Sequence, residues 1–179
     1  MFFSSCSFFG FYGRGGPLDL GYINEYGQYV PKRQKYKLKD KKGHILFENL
    51  DTINIYRSHY YNENYHTDLI RFIKFYPEGR CLEIFISEKD FDNQLKKDYL
   101  NPRSREATIG YYYSKDGKKG LIEFFKGDNQ PGLFLSQGGY SHERFFSNSS
   151  GDTLFLRQFK IHYIKETIPE TWEKYPVDW

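Results

Sequence analysis

A chain of 179 residues fits one domain, and all-β barrels or sandwiches reach this size as single units. Its net charge of +3 is too small to imply a nucleic-acid partner, and a mean hydropathy of −0.75 without a long apolar run excludes a membrane-spanning helix. Aromatic residues make up 20% of the chain, 17 Phe, 17 Tyr and 2 Trp; rings favour strands and bury large areas, so a β-rich fold with an apolar interior is expected.

The first residues, MFFSSCSFFGFYG, are apolar. Within them Phe3-Ser4-Ser5-Cys6 resembles the end of a bacterial lipoprotein signal, in which small residues precede a cysteine that becomes diacylated. Only Met1, Phe2 and Phe3 stand before it, whereas a working signal needs a basic start and an apolar core of about 7–15 residues. A start upstream with lipid on Cys6, and an ordinary apolar N-terminus, are the two readings. Residues 14–31, rich in Gly and Tyr with Pro17 and Pro31 as breakers, suit a loop or wrapping arm. Residues 1–31 are therefore read as an arm or linker, and 32–179 as one β domain.

From Lys32 to Lys42 the chain is basic, with lysines alternating with Tyr36 and Leu38. That pattern predicts an edge strand protected by lysine; attraction to phosphate, anionic lipid or acidic polysaccharide is the other reading. Strands are expected over His44–Glu48 and Thr52–Tyr60, and HYYNENYH, His59–His66, is expected as a loop. In DLIRFIKFYPEGRCLEIFISE, Pro77-Glu78-Gly79 marks a hairpin. A four-residue loop with Tyr76 facing Cys81 pairs Phe75 with Leu82 and Ile73 with Ile84 on one face. The other face then pairs Lys74 with Glu83 and Phe72 with Phe85, and leaves Arg71 as a charge on the apolar side. Asp90 predicts the start of a helix from Phe91 to about Leu100, ended by Asn101-Pro102, whose Phe91, Leu95 and Tyr99 form one stripe able to cover Phe72 and Phe85.

Asp116-Gly117 in EATIGYYYSKDGKKGLIEFFKG is the strongest hairpin signal, since both residues tolerate the positive φ of a tight turn. With Lys115 facing Lys118, Tyr111 meets Ile122 and Ile109 meets Phe124, sharing one face with Tyr113. Further strands are expected over Gly132–Gln137, Ser141–Ser147 and, as one long strand, Thr153–Ile164. The tail PETWEKYPVDW is expected to wrap extended around the domain. Cys6 and Cys81 make no disulfide framework, and no Cys/His spacing of a structural zinc site occurs.

The order of LDTINIY, IRFIKFYPEGR, IGYYYSKDGKKGLIEFF and GDTLFL resembles that of uncharacterised bacterial cell-envelope lipoproteins with a lipocalin-like β-barrel, over roughly residues 45–165. The Gly-x-Trp of true lipocalins is absent, since Gly21-Tyr22-Ile23 and Gly27-Gln28-Tyr29 lack tryptophan. The resemblance implies an antiparallel meander closed into a barrel of about 8–10 strands with one short helix, a β-sandwich being the alternative.

On this reading the protein is a non-catalytic cell-envelope binding protein with a small apolar or amphipathic ligand inside the barrel. Its interior candidates are Ile73, Phe75, Ile84, Ile109, Tyr111, Tyr113, Ile122 and Phe124, residues that can equally fill a solid core. The alternative is surface recognition of carbohydrate or protein by Tyr60, Tyr61 and Tyr65 or by Trp172 and Trp179. No HExxH, no G-x-S-x-G and no catalytic set is legible, so no catalytic residue, metal or cofactor is assigned. No nucleic acid is implied, and contact with a membrane is expected only through a lipid on Cys6.

Overall fold

Segments rich in Ile, Phe and Tyr, cut by Gly, Pro and Asn, form antiparallel β structure in the computed structural model. It describes residues 21–39, 50–62, 67–92, 98–104, 106–114, 119–127, 138–156 and 161–175. A small hairpin comes first, β1 (Gly21–Ile23) with β2 (Tyr29–Pro31). Its turn is held by Asn24, whose Oδ1 accepts the N–H groups of Tyr26 and Gln28, both at 3.0 Å, and by Gly27 at φ 77°. Eight strands follow: β3 (Ile55–Asn62), β4 (Thr67–Phe75), β5 (Arg80–Ser87), β6 (Ala107–Ser114), β7 (Lys119–Gly127), β8 (Gly138–Ser147), β9 (Thr153–Leu156) and β10 (Ile161–Glu166). Each pairs antiparallel with its neighbours, and β10 closes on β3 to complete a lipocalin-like barrel. A five-residue helix, α1 (Glu88–Asp92), follows β5.

Every barrel strand sends residues to one buried cluster, among them Tyr56, Ile73, Phe75, Cys81, Tyr112, Phe124, Phe145, Leu154 and Tyr163. Only the inside of a closed cylinder brings non-neighbouring strands together, as where the rings of Phe75 on β4 and Phe145 on β8 lie 5.7 Å apart. The outer surface is apolar too, in two places. Over β3–β6, Ile70, Phe72 and Ile84 lie under Tyr99, Leu100 and Trp172. The Trp172 indole sits 4.8 Å from Tyr99 and 5.7 Å from Phe72. Over β6 and β7, Tyr111 and Phe125 are covered by Tyr36 and Leu38 of the N-terminal arm. Strands buried on both faces read as near-continuous apolar runs instead of alternating ones.

This double burial explains why the register expected for both hairpins is one residue off. On β4–β5, Phe75 pairs with Cys81, Ile73 with Glu83 and Phe72 with Ile84, in place of Leu82, Ile84 and Phe85. The loop has three residues, not four. Tyr76 N–H donates to Arg80 O at 2.9 Å, and Gly79, at φ 79°, takes the left-handed position that a three-residue hairpin needs. On β6–β7, Tyr112 and not Tyr111 meets Ile122, and Gly110 and not Ile109 meets Phe124. The glycines decide it. A Cβ on Gly110 would stand 2.5 Å from the Phe124 ring, and one on Gly120 2.2 Å from the ring of its partner Phe145. Each glycine makes room for a phenylalanine across the strand pair, which pins the register. The Asp116-Gly117 turn itself lies outside the described residues.

Other expectations also change. Thr153–Ile164 is not one strand but two, β9 and β10, paired with each other through Leu156 and Ile161. Leu154, Leu156 and Tyr163 point inward, while Phe155 faces out and packs at 4.7 Å on His162. The helix starts at Glu88, ahead of the expected Phe91, and residues 98–100 at its expected end are not helical, while Leu95 lies outside the described residues; Phe91 and Tyr99 do cover Phe72, and Phe85 is on the inner face. Residues 32–39 form no strand. Their alternation of exposed lysines with buried Tyr36 and Leu38 arises from docking on the barrel. β3 continues through Asn62, so Tyr60 and Tyr61 belong to a strand paired with Leu69 and Asp68 and not to a loop. The strands expected over 44–48 and 132–137 fall outside the described residues.

Candidate functional site

The meander makes one end of the barrel from the 51–54 turn, the Pro77–Gly79 loop and the 148–152 turn. That end is sealed. The Tyr56 hydroxyl donates to Gly151 O at 2.8 Å and accepts from Asp51 N–H at 2.9 Å. The Tyr112 hydroxyl donates to Tyr76 O at 2.7 Å, and Lys74 Nζ donates to the carbonyls of Thr52 and Ile53. Burial pushes the Tyr56 and Tyr112 phenols up and the Lys74 ammonium down to about 8.

Toward the other end the interior changes character. Arg71, inward on β4 and only 2% exposed, pairs with Glu83 on neighbouring β5 and with Glu143 on β8 across the barrel at 3.3 Å. Both carboxylates are as buried as the arginine. The guanidinium lies 5.2 Å from the Phe85 ring and 5.4 Å from that of Tyr163, so its faces meet aromatic carbon while its edges meet carboxylates. Burial opposes the charge, and Glu83, Tyr163 and Glu143 outweigh it, holding Arg71 ionised. Ser58, buried opposite Arg71 on β3, adds a hydroxyl.

Beyond this layer the described inward positions are less buried. Leu69, Phe85, Ser87 and Ser141 are only half-buried, and a Cβ built on Gly139 would meet nothing within 4 Å. Residues 63–66, 93–97, 128–137 and 157–160, in the connections at that end, lie outside the described residues. Among the described residues the interior thus has a packed apolar base, a charged layer and, beyond it, less buried inward positions. That arrangement suits binding, with a few convergent polar groups orienting a ligand whose body lies against apolar walls. Among the described residues no three His, Cys, Asp or Glu side chains gather as a metal site requires.

Of the interior candidates expected from sequence, Ile73, Phe75, Ile122 and Phe124 are inside and fully buried. They form the base, beneath the charged layer. Ile84, Ile109, Tyr111 and Tyr113 are on the outer surface, moved there by the one-residue change of register. Trp172, expected to be displayed for recognition, is 8% exposed and fastens the C-terminal segment to the barrel. Tyr65, Trp179 and Cys6 lie outside the described residues. Arg71 stood out in the sequence as a charge on an apolar face, and Glu83 as the partner of Lys74. Their pairing with each other and with Glu143 had no local signal, because Glu143 is 72 positions from Arg71.

A second cavity, of about 260 Å³, lies outside the barrel between the β1–β2 hairpin, the arm and β6. Tyr22, Asn24 and Gln28 bound it on one side, with Tyr36, Ile109 and Tyr111 opposite. Gln28 pins the hairpin down, its Nε2 donating to the carbonyls of Pro102 and Ser104, both at 2.7 Å.

Fold and interior together define a lipocalin-like barrel with a charged layer across its middle. No family model, no curated protein and no solved structure matches the chain.

Proposed function

We propose that the protein is a non-catalytic binding protein holding one small amphipathic molecule in the less buried half of the barrel. The polar end of the ligand rests on Arg71, Glu83 and Glu143, and its apolar body lies against Leu69 and Phe85. One observation carries this reading: an ionised arginine and two carboxylates are fully buried inside the barrel, where the next described inward positions are only partly buried and a Cβ at Gly139 would meet no atom within 4 Å. Taking each ion out of water costs several kcal/mol, and well-packed apolar side chains often stabilise as well or better. A layer of this kind therefore fits a site better than it fits a structural core.

Two measurements test it. Purified protein is extracted with organic solvent and analysed by mass spectrometry, and a fluorescent amphiphile is titrated and then displaced. A co-purifying small molecule and saturable, displaceable binding are expected. Binding should weaken at least tenfold in Arg71→Met combined with Glu83→Gln and Glu143→Gln, if that variant melts cooperatively. No extractable molecule and no saturable binding would overturn the reading. A place at a bacterial cell envelope, with lipid on Cys6, belongs to the same proposal and is supported by Phe3-Ser4-Ser5-Cys6. Incorporation of labelled palmitate by cells expressing the protein, lost in Cys6→Ser, is the expected result.

A further inference from the structure

We infer that the cavity between the β1–β2 hairpin and the outer face of β6 is a binding site for one uncharged, hydroxyl-bearing ring such as a monosaccharide unit. This inference is independent of the ligand inside the barrel, because the barrel wall separates the two sites. Three observations carry it. First, among the described residues no Asp, Glu, Lys, Arg or His lines the cavity, although such residues are abundant in the chain. An ionised ligand would lose its hydration there and find no counter-charge. Second, the lining sets the rings of Tyr22, Tyr36 and Tyr111 beside the Tyr22 hydroxyl and the Gln34 carboxamide, while the Asn24 and Gln28 carboxamides are spent on holding the hairpin. A wholly apolar ligand would press carbon against the polar groups, whereas a sugar offers C–H faces to the rings and hydroxyls to the Tyr22 hydroxyl and the Gln34 amide. Third, about 260 Å³ lies just below the ~300 Å³ at which drug-sized sites begin, so the occupant is a single ring and not a lipid chain.

Access and stiffness also fit. Tyr22 is 50% exposed, leaving one wall reachable from solvent. The opposite walls are held. The Tyr36 hydroxyl donates to Ile109 O, and Leu38 N–H donates to the buried Glu123 carboxylate at 2.9 Å. His142 Nε2 stands 3.0 Å from the other oxygen of that carboxylate. Lys35 N–H donates to the Tyr140 hydroxyl at 2.7 Å, and that hydroxyl donates to Arg33 O at 3.0 Å. The arm carrying Tyr36 is therefore clasped to β7 and β8, and the site is preformed.

Saturation-transfer NMR on the full chain tests the inference, with glucose, galactose, mannose and N-acetylglucosamine as probes and glucuronic acid and glucosamine as charged controls. At least one neutral sugar should show saturable transfer, and neither control should. Tyr22→Ala, on the exposed hairpin, should weaken binding about three- to tenfold, the effect of one lost ring contact. Val30→Trp, which fills the cavity, should abolish it, with Gln34→Trp as a second filling variant should the first not fold. A cavity that holds only water, roughly nine molecules at ~30 Å³ each, would give no saturation with any sugar, and that result overturns the inference. Equal binding of a charged control, or unchanged affinity in Tyr22→Ala and a folded filling variant, does the same.

Discussion

The two halves of the barrel interior are built from the same strands by opposite chemistry. At the sealed end Phe75, Tyr112 and Phe145 pack ring against ring, with the Phe75 ring 5.0 Å from Tyr112. A few ångströms along the same strands, Arg71 and Glu83 stand where the alternation would put two more apolar side chains. Dispersion and loss of apolar surface from water hold the first half. The second is held by charges whose mutual attraction roughly offsets their desolvation. The contrast separates what folds the protein from what the proposed ligand would meet.

The largest expected effects test that separation directly. Phe75→Ala should destabilise by about 3–5 kcal/mol through cavity formation, and Arg71→Ala by a similar ~3–5 kcal/mol through two carboxylates left buried without their arginine. Restoring neutrality distinguishes them. Arg71→Met with Glu83→Gln and Glu143→Gln should recover most of the second loss, whereas no polar replacement at Phe75 should recover the first. Denaturant unfolding of the four proteins measures this, and a triple variant as unstable as Arg71→Ala would show the charged layer to be structural.

A smaller effect tests the glycine–phenylalanine pairing that sets the inward face. Gly110→Ala should cost about 1–3 kcal/mol, because its methyl group would collide with the Phe124 ring and with the Glu123 backbone carbonyl, of which only the ring contact is removed by a change at Phe124. In Phe124→Leu the added cost of Gly110→Ala should shrink, so a double-mutant cycle should show coupling above ~0.5 kcal/mol. Additive behaviour would mean that the ring does not fix the register.

The smallest concerns pH. Burial lowers the Lys74 pKa to about 8 at the sealed end, while in the unfolded chain it is near 10.5. Between those values the unfolded state binds more protons, so the Lys74 contribution to stability grows as pH rises from about 8 and levels off near 10.5. Melting curves of the parent and Lys74→Met between pH 7 and 10 should therefore show the parent gaining relative to the variant. Parallel profiles would remove the basis for a desolvated Lys74.

Much of the scaffold was legible residue by residue. Ile, Phe and Tyr runs broken at Pro77-Glu78-Gly79 and Asn148–Asp152 announce antiparallel strands, since turn chemistry and β preference act over a few residues. Less of the site was legible. Arg71 could be seen as out of place, but its partners could not be named, because Glu143 reaches it only after five strands have closed the wall. The 153–164 segment misled for a related reason: it has no Gly, Pro or Asn to mark where the chain doubles back.

By itself, then, the chain determined its class, an antiparallel all-β domain with aromatic filling, and the places of most of its turns. Which side of each strand became the inside was decided only in three dimensions. Trp172 and Tyr99 cover the outside of β3–β5, and Tyr36 and Leu38 cover β6 and β7, so both faces are apolar and periodicity cannot choose between them. The choice fell to parity, set by the left-handed Gly79 in a three-residue loop and by two glycines that yield their space to Phe124 and Phe145.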